Sequence, residues 1–253
     1  MATLREIVAE LDRLLEPEAF TDYGPNGLQV EGAQEVAHVA TGVSASVELF
    51  ERAIAAGAQL IVTHHGLFWD GDDPRIVGSH RARLRALLTA DVSLAAYHLP
   101  LDAHPLMGNN ALIAAGLALV DPQPFSLYRG RAIGVSASAP GEGIEAAELV
   151  ARIAALTARE PLVFAGGPQR VRTVGIVSGG GARSVQEAIA RGFDAFITGE
   201  PAEWARALAS ESGIHFIAAG HHATETFGPR ALGEHLREHF GVAWTDIDVA
   251  NPV

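Results

Sequence analysis

A chain of 253 residues, 48% hydrophobic and 19% charged, is long enough for two small domains or one large one and too apolar to be disordered. Its net charge of −12, with all 18 basic residues arginine, argues against a nucleic-acid-binding surface, and the lack of cysteine excludes disulfides, thiolate metal sites and cysteine nucleophiles. No apolar run approaches membrane-spanning length, and the composition fits a cytoplasmic protein.

Thr3 and Glu6 form a capping box opening an amphipathic helix with Leu4, Ile7, Val8, Leu11 and Leu15 inward, which Pro17 helps to end; this is not a signal peptide. The turn-rich stretch from Asp22 to Gly32 runs into a short strand, and spacing alone assigns it no further role. Val36 to Val43 reads as a strand, Ser44 or Ser46 as an N-cap, Val47 to Ala56 as a helix, Gly57 as its C′ residue and Gln59 to Thr63 as the next strand. This β-α-β unit delivers His64 and His65 to a strand exit. Arg81, Arg83 and Arg85 lie on a predicted helix and read as a solvated face.

Shifted by 135 positions, the same unit returns: Val171 to Val177, a Gly179-Gly180-Gly181 turn, Ala182 to Arg191, then Asp194 to Thr198, ending in Gly199-Glu200. Small residues at helix ends match cheaply, so part of this is shared architecture. At a shift of 123, His98 and Asp102 lie over His221 and Glu225, each pair following a strand (Val92 to Tyr97, Ile214 to Ala219) and each followed by a helix (Asn110 to Leu117, Arg230 to Phe240). The glycine run after Val177 reads first as a tight turn and second as an anion site, since it lacks the P-loop lysine. The expected fold is therefore α/β, two duplicated modules with largely parallel sheets, residues 1–125 and 126–253, with a break near Asp121 to Pro124. The C-terminal helix is free to pack back on the first module.

In a parallel sheet the C-terminal strand ends lie side by side, so His64, His65, His98, Asp102, Glu200, His221 and Glu225 would converge on one crevice. Two carboxylates with three imidazoles suffice for two divalent ions. Plainer readings stand beside this: His98 and His104 flank Asp102 and serve equally as groups that orient it, Glu200 as a helix cap, and His222 as a residue facing away. His38, His80, His215, His235 and His239 show no partner pattern. A Ser-His-Asp triad lacks the Gly-x-Ser-x-Gly elbow.

Five stretches, Gly27-Leu28-Gln29-Val30-x-Gly32, Thr63-His64-His65-Gly66-Leu67-Phe68-Trp69, His98 through Asn110, Thr198-Gly199-Glu200 and Gly220-His221-His222-Ala223-Thr224-Glu225, resemble the Nif-three-like dinuclear metal-centre family, also known as GTP cyclohydrolase I type 2. The likeness spans essentially the whole chain and is to the compact members without an insertion domain. It implies two α/β domains in a toroidal homohexamer, with two divalent ions per subunit (Zn, Fe or Mn) in the cleft between domains. The family's ligands carry over onto His64, His65, Asp102, His221 and Glu225, and the pattern assigns nothing firm to His98 and His104. The resulting expectation is a metal-dependent hydrolase acting on a small molecule such as a nucleotide, with His98 or His104 moving protons. A ring-shaped scaffold binding a protein or nucleic acid is the alternative, and metal storage a third; net charge weighs against nucleic acid and no membrane contact is expected.

Overall fold

A computed structural model describes residues 2–253 and divides them into two compact units, residues up to 101 with 228–250, and residues 102–227 with 251–253. Among the described residues no helix is long and apolar enough to cross a membrane.

In the first unit a five-stranded sheet runs in the order Ala243–Asp246, His38–Ser44, Leu60–His65, Ser93–Ala96, Gly27–Val30. The first four strands are parallel and Gly27–Val30 closes the edge antiparallel. The helix Leu4–Leu15 starts at the expected capping box: Thr3 Oγ1 accepts from the Glu6 amide while Glu6 accepts from the Thr3 amide. Its Leu4, Ile7, Leu11 and Leu15 are buried, at the spacing of one helical face. Ser46, not Ser44, caps the helix Val47–Ala55, its hydroxyl accepting from Leu49 N, and Gly57 follows at φ +82°, a left-handed conformation that favours glycine. On the helix Gly78–Ala90 Arg81 and Arg85 are exposed and Arg83 is half-buried, so the expected solvated face holds in part. One apolar cluster, including Phe50, Ile61, Leu87, Leu94 and Ile247, covers the sheet.

In the second unit the six-stranded sheet has the order Leu162–Ala165, His215–Ala218, Ala195–Thr198, Thr173–Val177, Arg131–Ser138, Val120–Tyr128. Only the Thr173–Val177, Ala195–Thr198 and His215–Ala218 strands are mutually parallel; the flanking pairings are antiparallel. The sheet is thus mixed rather than largely parallel. Its antiparallel edge is a hairpin turning at Arg129 and Gly130, both at positive φ (46° and 87°), as a two-residue primed turn requires.

The repeat is present in the pairing itself: Val39 opposes Leu60 in one sheet and Val174 opposes Ala195 in the other, the same 135-residue shift for both strands. Two boundaries differ from the sequence reading. The units part at Leu101/Asp102, because the proposed break at Asp121 to Pro124 lies inside the edge strand Val120–Tyr128, where Pro122 and Pro124 are tolerated. The C-terminal helix Phe227–Phe240 and strand Ala243–Asp246 belong to the first unit from Gly228 onward, since that strand extends the first sheet beside His38–Ser44.

Candidate metal centre

Parallel pairing aligns the C-terminal strand ends of the first unit, with Ser44 opposite His65 and Thr63 opposite Ala96. That edge presents His64, His65 and, just past Tyr97, His98; one ligating atom from each lies within 4.8 Å of the others. Their rings are neighbours, with centroids 4.7 Å apart for His64 and His65 and 5.1 Å for His64 and His98. His64 is fully buried, and its Nδ1 lies 3.0 Å from the Tyr97 carbonyl oxygen. A carbonyl only accepts, so Nδ1 carries the proton and Nε2 keeps a lone pair suited to a metal. His65 Nδ1 meets Ser44 Oγ at 3.1 Å.

His98 is held by the turn that spacing alone left without a role. Its Nδ1 lies 2.7 Å from Asp22 Oδ1, and its amide donates to Asn26 Oδ1 at 2.7 Å. The buried Asp22 carboxylate also accepts from Tyr23 N at 2.7 Å, Asn26 Nδ2 at 2.9 Å and Leu99 N at 2.9 Å. Burial pushes the Asp22 carboxyl up, but the hydrogen bond and charge of His98, with Asn26 and the Tyr23 amide, outweigh it and hold it below its ordinary value. Trp69 sets its ring edge-on to His98, centroids 5.2 Å apart. Gln29 braces the loop after His65, accepting from Leu67 N at 2.8 Å and donating to Pro25 O at 2.7 Å. A Cβ on Gly66 would stand 2.3 Å from the Gln29 amide, so a side chain there would displace that brace.

The second unit brings together an imidazole and two acids. Carboxylate oxygens of Asp102 and Glu225 lie within 4.8 Å of each other, and the residues are only 7% and 2% exposed. Two buried carboxylates at that spacing are stabilised by a cation or a shared proton. The short helix His221–Thr224 and the residue after it bring His221 Nε2 within 3.1 Å of Glu225 Oε2, the one-face placement expected of an i,i+4 pair. Glu200, at the repeat position of His65, takes His221 Nδ1 at 2.6 Å. Burial disfavours the His221 imidazolium, yet the hydrogen bonds and charges of Glu225 and Glu200 outweigh it and push its pKa to about 9. Asp102 Oδ1 accepts from Asn109 Nδ2 at 2.9 Å and Ser178 Oγ at 3.1 Å, and Asn110 Oδ1 accepts from Ser178 N at 2.7 Å.

The glycine run after Val177 is a tight turn serving Glu225. Gly179 has φ +58°, and a Cβ on it would lie 2.0 Å from Glu225 Oε1. Its amide donates to Thr224 Oγ1 and its carbonyl accepts from Gly199 and Glu200, which ties Gly179 to the strand exits beside it. His104 accepts from Leu106 N and Met107 N at Nδ1, capping a local turn, and joins no potential metal-holding group among the described residues. His222 follows His221 and is half-buried, its amide donating to the Val253 carbonyl. The residues missed in the sequence, Asp22, Asn26 and Ser178, carry no metal-ligand spacing; the signal available was only that Asp22 and Asn26 are turn formers with polar side chains.

The donor chemistry of each unit taken by itself fits divalent cations: three imidazoles in the first, paired acids and an oriented imidazole in the second. Among known proteins, the sequence profile of the family described as Duf34/NIF3 (NGG1p interacting factor 3) matches residues 2–252. A Pseudomonas aeruginosa protein named GTP cyclohydrolase 1 type 2 homolog is 42% identical over 249 residues, covering 98% of each chain. The solved structure of protein ybgI, described as of unknown function, superposes with a TM-score of 0.93 at 41% identity, covering 99% of this chain and 100% of that one, which leaves no room for an insertion domain. TTHA1606 from Thermus thermophilus matches with a TM-score of 0.90 at 37% identity, covering 99% and 100%. The agreement of profile, sequence and fold along the full length makes this chain a compact member of the DUF34/NIF3 family.

Proposed function

We propose that the protein is a metal-dependent hydrolase in which His64, His65, Asp102, His221 and Glu225 together hold two divalent ions, Zn, Fe or Mn, and that its substrate is a nucleotide opened in the manner of a GTP cyclohydrolase. The observation that carries this reading is the pair of buried acids, Asp102 and Glu225, within 4.8 Å of each other, with the His221 imidazole 3.1 Å from Glu225. The name of the relatives, GTP cyclohydrolase 1 type 2 homolog, supports the substrate class. When bound, the ions supply Lewis acidity that brings a water toward ionisation at neutral pH and polarises the substrate.

The chain's own residues do the rest. Glu200 and the Tyr97 carbonyl fix the rings of His221 and His64 through Nδ1 and aim each Nε2 as a ligand. Asn109 and Ser178 orient the Asp102 carboxylate. His98, anchored by Asp22 at Nδ1, takes or returns a proton through Nε2, the role an acid-oriented histidine plays in general acid–base chemistry. Trp69 and Tyr23, beside His98, offer aromatic surface on which a base stacks. The ring assembly of the family, a homohexamer, and a cytoplasmic setting complete the proposal.

The test is metal analysis of the purified protein, followed by GTP turnover read as formate release, for wild type against Glu225→Gln. Turnover by wild type that falls at least a hundredfold in the variant, together with lost metal, is the expected result. Equal metal in both proteins and no product from either would remove the hydrolase. The second reading, a metal-stapled scaffold, draws on the family's description as an interacting factor. Firmly held metal without turnover of any nucleotide favours it, because structural ions have closed coordination and catalytic ones keep an open position.

A further inference from the structure

The C-terminal helix carries His235 and His239 one turn apart, a spacing that puts both rings on one helix face. The rings stack with centroids 5.5 Å apart at 26°. Opposite them the first helix presents Glu10, whose Oε1 lies 2.9 Å from His235 Nε2. A ligating atom from each of the three residues lies within 4.8 Å of the others, and all three belong to the first unit. Two imidazoles at i and i+4 with one carboxylate from a neighbouring helix are the donor set of a three-ligand zinc site that keeps a fourth position for water.

The plainer account is an ion pair tying two helices together. Arg13 supports it, donating to Glu10 through Nε at 2.7 Å and Nη2 at 2.8 Å. That arginine does not close the site, however. Its side chain is 65% exposed, whereas Glu10 and His235 are 10% and 19% exposed. An ionised carboxylate also has about four lone-pair positions, enough for Arg13 and a cation together. The hydrogen bond to Glu10 is made by His235 alone, so a single ion pair does not require a His239 nitrogen to stand this close as well.

We propose that Glu10, His235 and His239 form a second cation site, separate from the residues assigned above, for a borderline divalent ion of the zinc, nickel or copper type. The cation takes the place of the proton between His235 Nε2 and Glu10 Oε1, and that proton is released to solvent. His239 supplies the second nitrogen. The bound ion clamps the first helix to the last, so zinc raises the melting temperature through contacts that lie outside the proposed hydrolytic centre.

The experiment counts zinc bound per chain by equilibrium dialysis at micromolar free zinc, for the full-length wild type, His239→Ala and His235→Gln. His239 is exposed and alanine is a strong helix former, so that variant keeps the fold, which far-UV circular dichroism verifies. Wild type is expected to hold one zinc more per chain than either variant, and the zinc-dependent rise in melting temperature is expected to shrink in both. The same zinc count in all three proteins overturns the site. Because the readout is a difference between proteins with the same His64, His65, Asp102, His221 and Glu225, it stands or falls independently of the hydrolase reading.

Discussion

Replacing Asp22 by asparagine tests whether the turn Asp22 to Asn26 is what holds His98. The carboxylate is 2% exposed and accepts four hydrogen bonds, from Tyr23 N and His98 Nδ1 at Oδ1, and from Asn26 Nδ2 and Leu99 N at Oδ2. In the variant one oxygen becomes an NH2 group. Placed at Oδ2 it faces two donors, so two bonds to a charged acceptor are lost, at roughly 1.5–3 kcal/mol each. Asn26 cannot recover either by rotating its amide, because its Oδ1 already accepts from the His98 amide at 2.7 Å, so the net destabilisation is about 3–6 kcal/mol. Urea unfolding followed by circular dichroism measures it, and the midpoint should fall without a change in slope. The pH dependence supplies a second reading with a definite sign. The folded-state pKa of Asp22 is depressed below its ordinary value of 3.8, so its contribution is present above 3.8 and is lost as pH falls through the depressed value. Asp22→Asn should lack that part of the acid-induced loss. A destabilisation under about 0.5 kcal/mol, the range of surface substitutions, with an unchanged acid limb would refute the argument.

Gly179→Ala places a Cβ 2.0 Å from Glu225 Oε1 at a residue with φ +58°; about 1–2 kcal/mol of backbone strain and a displaced Glu225 should lower both melting temperature and retained metal, and unchanged metal content would count against Glu225 as a ligand. Glu200→Gln keeps the shape but removes the charge that orients His221 Nδ1 at 2.6 Å, so metal affinity should fall about 10–100-fold with the fold intact, read by competition with a chromogenic chelator. Gly233→Ala drives a methyl to 2.0 Å from the Trp244 Nε1 atom, whose rigid ring is tied by a 2.9 Å hydrogen bond to Thr41; about 1–3 kcal/mol of overpacking should appear in urea unfolding, and an unchanged midpoint would show that the C-terminal helix shifts freely.

What the sequence determined by itself was whatever is written within a few residues. The capping box at Thr3, the buried runs ending at His64 and His65, the left-handed glycine at 57 and the His221–Glu225 pair are local, and turn chemistry or a 3.6-residue period is enough to find them. The duplicated β-α-β unit was legible for the same reason, since each copy repeats its own local signals. The tertiary structure alone decided which polar side chain answers which. Asp22 reaches His98 across 76 positions, Ser178 reaches Asp102 across 76, and Glu10 reaches His235 across 225; no periodicity encodes such partners, because they are selected by how strands and helices pack. The antiparallel flanks of the second sheet, where largely parallel pairing was expected, likewise came only from the tertiary structure, because a short apolar run pairs equally well in either direction until its neighbour in the sheet is known.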